Sequence, residues 1–149
     1  MKKLTLLVMP EDRRRSLVKC LEGCAIEVLP ASDCREARRV LQTNPGVQIL
    51  LTDVALPDGN WADLTAEAER RGTRTEVIIC MRMADPMLWI DVLERGAYDV
   101  LVEPFHEDEV KRIVNAAAAK NRIHPWPVRR PVQSASEPAP GEEAVLCGG

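Results

Sequence analysis

The stretch VQILLTDVALPDGN, residues 47–60, decides how the chain is read. A short, mostly apolar run leads straight into Asp53, and a loop carrying Pro57, Asp58 and Gly59 follows. Such a run has the length and β-branched content of a strand buried on both faces, as in parallel sheets. An acid at the end of a buried strand is costly unless it is paired, solvated or used.

Working outward, similar runs occur at Leu4–Val8, Ala25–Leu29, Val77–Met81 and Tyr98–Val102, beside Val47–Thr52 itself. Amphipathic stretches of helical length separate them, at about 12–22, 33–43, 61–71, 85–95 and 107–121. Ser32 is expected to cap the second helix and Asn60 the third, while Asn44-Pro45-Gly46 and Gly96 end the second and fourth. Five strand–helix pairs in alternation predict an α/β fold: a five-stranded parallel sheet, doubly wound, with the flavodoxin-like (βα)5 order. Ligands in such sheets bind beyond the carboxyl ends of the strands. The residues there are Met9, Pro10, Glu11 and Asp12; Asp53 and Val54; Met81 and Arg82; and Glu103, Pro104 and Phe105.

Composition narrows the choices. The 149 residues suffice for one domain with a sizeable core, and with three Trp, one Tyr and one Phe that core must be aliphatic. A net charge of −3 provides no basic field for nucleic acid, and no DNA-binding helix pair follows the alternating part. The arginine clusters Arg13–Arg15, Arg38–Arg39 and Arg70–Arg71 have acids nearby and read as solvated, salt-bridged faces. Cysteines at 20, 24, 34, 80 and 147 lack zinc-site spacing, and with His106 and His124 form no Cys/His ligand set. No run approaches a signal peptide or the ~20 apolar residues of a membrane span, so a cytoplasmic location without membrane contact is expected. Residues 1–122 form the expected domain; 123–149, with five prolines, read as a disordered tail in which Trp126, Arg129 and Arg130 offer a short docking motif.

LLTDVALPDGN and ERGAYDVLVEPF, with the spacing between them, resemble a response-regulator receiver domain of bacterial two-component signalling, over roughly residues 3 to 122. The resemblance implies that Asp53 is the phosphoacceptor position. It also implies acids binding Mg²⁺ where this chain has Met9 and Pro10, and a Ser or Thr contacting the phosphoryl group where it has Met81. A lysine is implied at Glu103 and a switching aromatic at Val100. Of that set, Asp53 alone is present.

Phosphoryl transfer depends on neutralised charge and positioned oxygens, and Mg²⁺ wants oxygen ligands in octahedral geometry. Met9 and Pro10 supply none; Glu11 and Asp12 are the candidates to compensate, with Asp53 and Glu11 as metal ligands if any metal binds. Glu103 adds a negative charge where a dianion would arrive. Two unit charges ~5 Å apart repel by roughly 3 kcal/mol at an effective dielectric near 20, about a hundredfold in rate. Asp53 has three readings: an inherited acid, solvated or locally hydrogen-bonded; a partner of Arg82 in an Arg82–Asp53 or Arg82–Glu103 pair; or, with Glu103, a carboxylate site for another cation.

In the fourth helix, PMLWIDVL is apolar around more of its circumference than one core stripe requires. Ile90 and Leu93 are expected to face the sheet near Ala97, leaving Leu88 or Trp89 and Val92 outward as an interaction face. We expect an atypical single-domain receiver, not an enzyme, with no cofactor, acting on a histidine kinase, a downstream target or a second copy through that face. The alternatives are a working receiver phosphorylated on Asp53 with Mg²⁺ and, more distantly, a nucleotide- or flavin-binding α/β protein. The latter lacks a glycine in its first loop, MPEDRRR.

Overall fold

The computed structural model describes residues 3–71 and 75–123, with side chains through Lys120. Trp126, Arg129, Arg130 and the rest of the expected tail lie outside the described residues. The chain alternates as β1 (Lys3–Val8), α1 (Glu11–Leu21), β2 (Ile26–Ala31), α2 (Cys34–Thr43) and β3 (Val47–Asp53). A small hairpin, β4 (Ala55–Leu56) and β5 (Gly59–Asn60), precedes α3 (Trp61–Arg70). Then come β6 (Glu76–Met81), α4 (Pro86–Glu94), β7 (Asp99–Val102) and α5 (Glu107–Ile123).

The main sheet runs β2-β1-β3-β6-β7, every pair parallel, which is the doubly wound order expected. Successive strand residues face opposite sides, so two cores form. Leu6, Val8, Leu50, Val77, Ile79, Met81 and Val100 pack beneath α2, α3 and α4. Leu7, Met9, Ile49, Leu51, Ile78, Cys80 and Leu101 pack against α1 and α5. Asp53 continues the parity of Ile49 and Leu51, so it falls on the α1/α5 side at the end of β3.

Local chemistry explains the helix ends. Asn60 and Asp63 form a reciprocal capping box: the Asn60 side chain accepts from Ala62 and Asp63 amides, and Asp63 accepts from the Asn60 amide at 3.0 Å. The cap of α2 is Asp33, not Ser32; its carboxylate accepts from the Glu36 amide at 2.8 Å, while the Ser32 amide donates to the Glu36 carboxylate. Both residues are good caps, and two acceptors in sequence leave the choice to the turn geometry. Gly96, at φ 99°, ends α4 in a Schellman turn, with Gly96 donating to Leu93 O and Ala97 to Val92 O.

That turn fixes the phase of α4 and corrects the expected one. Val92 is fully buried and Leu88 and Trp89 are half-buried on the core, whereas Ile90 is 55% and Leu93 42% exposed. With Met83 and Met87, both nearly fully exposed, Ile90 and Leu93 make up the outward stripe. Residues 88, 89 and 92 lie on one side of the helix and 87, 90 and 93 on another. Because both faces are largely apolar, periodicity alone cannot choose between them.

Candidate functional site: a bridged pair of carboxylates

The carboxyl ends of β1, β3, β6 and β7 converge where ligands bind in folds of this kind. Asp53 pairs laterally with Cys80, and Glu103 extends the β6–β7 ladder by donating its amide to Met81 O at 2.9 Å. Asp53 is 3% exposed. Glu103 is half-buried at the mouth.

Arg13 lies between the two acids. Its Nη1 donates to Asp53 Oδ1, and its Nε donates to Glu103 Oε2 at 2.6 Å. Its Nη2 also lies 2.5 Å from Glu103 Oε2 as an ion-pair contact. Arg13 is itself buried, 8% exposed, on the inner stripe of α1 with Leu17 and Leu21. This overturns the solvated reading of the arginine triplet at its first member. Arg14 does bond Ser32 Oγ, at 3.3 Å, and Arg15 does meet Glu11 at the surface, at 3.9 Å. The missed signal is spacing: 13, 17 and 21 recur every four residues, which puts Arg13 in phase with two buried leucines.

The other expected participants are placed as follows. Arg82 is exposed, and Arg13 makes the contacts that one of the three readings of Asp53 assigns to Arg82. Glu11 and Asp12 are exposed in the first turn of α1, where they complement the helix dipole instead of reaching Asp53. Pro10 is the N-cap residue of α1, and its carbonyl accepts from the amides of Arg13 and Arg14. Met9 is fully buried beneath α1 and α5, and Met81 is buried in the opposite core. Val100 is buried too, so the position implied for a switching aromatic holds a short aliphatic side chain. Cys80, fully buried between the acids' strands, has its thiol pushed up to about 12 by burial, with Arg13 lowering it and Glu103 raising it.

Two carboxylates sharing one guanidinium leave no oxygen-rich shell for Mg²⁺. Met9 presents a thioether, and among the described residues no three His, Cys, Asp or Glu side chains gather as ligands. The residues present do not fit the metal that the resemblance implies. Among the described residues, no helix is long and apolar enough to cross a membrane.

With this geometry in place, likeness to known proteins becomes informative. The chain belongs to the response regulator receiver domain family, whose model matches residues 10–115. It is 34% identical over 110 residues to the two-component response regulator-like APRR7 of Arabidopsis thaliana, covering 71% of this chain and 15% of that protein. It is 29% identical over 113 residues to the response regulator protein PilR of Pseudomonas aeruginosa, covering 75% and 25%. The chain therefore spans a quarter or less of these relatives' length. The receiver domain of a LuxO-type repressor from Vibrio parahaemolyticus superposes with a TM-score of 0.76 at 20% identity, over 82% of this chain and 94% of that one. The beryllofluoride-activated NtrC4 receiver domain, solved as a dimer, gives 0.73 at 22%, over 80% and 98%. Both likenesses are to the fold.

Proposed function

We propose that this receiver domain acts in two-component signalling as a protein-docking module whose state is set without phosphoryl transfer to Asp53. The observation that carries the reading is the Asp53 carboxylate itself: buried, bonded to Arg13, and facing Glu103 across the same guanidinium. A phosphoryl dianion there would have to displace that contact and sit beside a second carboxylate, with Met9 and Pro10 at the positions of the metal-binding acids and Glu103 at that of the lysine. Buried Met81 and Val100 stand where the family's hydroxyl and aromatic would report the phosphoryl group's arrival.

Function then rests on surface. The exposed Met83, Met87, Ile90 and Leu93 form an apolar stripe on α4 and the loop before it, a surface suited to docking. A signalling protein or a second copy of the chain would cover it. Self-association is the first case to test, because the NtrC4 receiver forms a dimer. The family's phosphate chemistry is tested by intact-mass analysis after incubation with a small-molecule phosphodonor, with and without Mg²⁺, on the native chain and Asp53→Asn. The native chain is expected to gain no phosphoryl group while a control receiver is labelled. An adduct requiring Mg²⁺ and Asp53 would replace this reading with that of a working phosphoacceptor.

A further inference from the structure

We propose that Arg13 is a built-in counter-ion: its guanidinium replaces the divalent cation of the family's pocket and clamps the first turn of α1 to the ends of β3 and β7. The inference rests on the reading of the pocket as silent towards phosphate, and adds what holds it in one state.

Three observations carry it. First, the contacts join elements far apart in sequence: Arg13 meets Asp53 forty residues on and Glu103 ninety residues on, so one side chain ties three segments together. Second, the placement opposes local preference. A cation in the first turn of a helix is unfavourable against the positive end of the dipole, and Glu11 and Asp12 in the same turn face outward. An arginine turned inward there is stabilised by what it meets, buried Asp53 and half-buried Glu103, two acids that would otherwise repel each other. Third, the guanidinium fits this task in a way a point charge does not. Its Nη1 donates to one carboxylate and its Nε to the other, with Nη2 in ion-pair contact with Glu103, from a rigid planar group.

A covalently attached cation differs from a bound one in its behaviour. It cannot dissociate, its effective concentration is fixed, and it brings no exchangeable water through which a phosphoryl group could enter. The clamp therefore makes the arrangement of α1 on the sheet independent of free metal. Removing the side chain would uncover Asp53 and Glu103 as a facing acid pair, open to a divalent cation.

The test compares melting temperatures of native chain, Arg13→Ala and the triple variant Arg13→Ala/Asp53→Asn/Glu103→Gln, each in EDTA and in millimolar MgCl2 or MnCl2. The native chain is expected to melt at the same temperature in both media. Arg13→Ala is expected to melt on the order of 10 °C lower in EDTA and to regain part of the loss with metal. The triple variant should ignore metal. A native chain stabilised by Mg²⁺, or an Arg13→Ala chain that melts with the native one, overturns the clamp. Should Arg13→Ala not fold, NMR of the native chain decides. A slowly exchanging Arg13 Nε–H that speeds up in Glu103→Gln supports the bridge, and a freely exchanging one overturns it. A phosphoryl adduct on native Asp53 would instead remove the underlying reading, and is scored separately by mass.

Discussion

The carboxylate of Asp58, in the hairpin after β3, closes the N-terminus of α2 by accepting the Cys34 amide at 2.7 Å and the Arg35 amide at 3.0 Å. Together with Asp33 it satisfies three of the orphan donors at that helix end. The loop downstream of Asp53 is thereby tied to the second helix.

The Cys34 amide bond above all, with that of Arg35 assisting, holds the Asp58 carboxyl below its ordinary value against an opposing effect of burial that ranks between the two. A depressed folded value means that its stabilisation is complete above the unfolded-chain value near 3.9 and is lost as pH falls through the folded one. Asp58→Asn keeps an acceptor oxygen but not the charge. It should melt below the native chain at neutral pH, with the gap closing below about pH 4. A gap that stays constant from pH 7 to 3 would show that charge plays no part.

Gly59 sits between the two caps. A Cβ there would lie 2.6 Å from Asp63 Oδ2 and 2.9 Å from Cys34 Sγ. Cys34 is fully buried and Asp63 is held in the α3 capping box, so neither yields freely. Gly59→Ala should cost roughly 1–3 kcal/mol in urea unfolding. A loss within about 0.5 kcal/mol would mean that Asp63 swings aside without harm.

The phase of α4 can be read from two substitutions. Val92→Ala removes fully buried methyl groups and should destabilise by about 2 kcal/mol. Ile90→Lys, on the exposed stripe, should stay within about 0.5 kcal/mol while weakening any self-association seen by sedimentation. The reverse order of stabilities would restore the phase expected from sequence.

Thiol reactivity should divide by burial. Desolvation pushes Cys34 up to about 11, aided by the neighbouring Asp58 carboxylate, and Cys80 up to about 12. Both thiols are expected to stay protonated at pH 8, Cys80 the more completely. Iodoacetamide followed by peptide mapping should therefore mark the half-buried Cys20 and Cys24 well before Cys34 and Cys80. Early labelling of Cys80 would show that the sheet opens at β6.

The sheet was legible in the sequence because its runs are short, β-branched and apolar on both faces, a pattern that the helices other than α4 do not approach. Asn60 and Gly96 were legible because caps and turns depend on local chemistry. The second cap slipped from Ser32 to Asp33 where two suitable residues adjoin. The departures at Met9, Pro10, Met81 and Glu103 could be named only through the family resemblance, which assigns roles to those positions. What the pocket gains was not legible. Arg13 stands beside Arg14 and Arg15, and a run of like charges reads as solvent-facing unless helix phase is followed through Leu17 and Leu21. In α4 the apolar pattern alone did not decide, because apolar residues lie on both sides of the helix and only packing on the sheet shows that Val92 is the buried one.

The shared guanidinium also bears on the routes through sequence space open to this chain. Restoring a lysine at 103 alone would set two cations against one buried carboxylate and leave Arg13 with half its partners. Restoring an acid at Met9 alone would put a third carboxylate beside one arginine. Replacing Arg13 alone would leave buried Asp53 without its counter-ion and facing Glu103. On the proposed reading, each of these three single changes should give a less stable protein than the native one, and changes made together should be tolerated better.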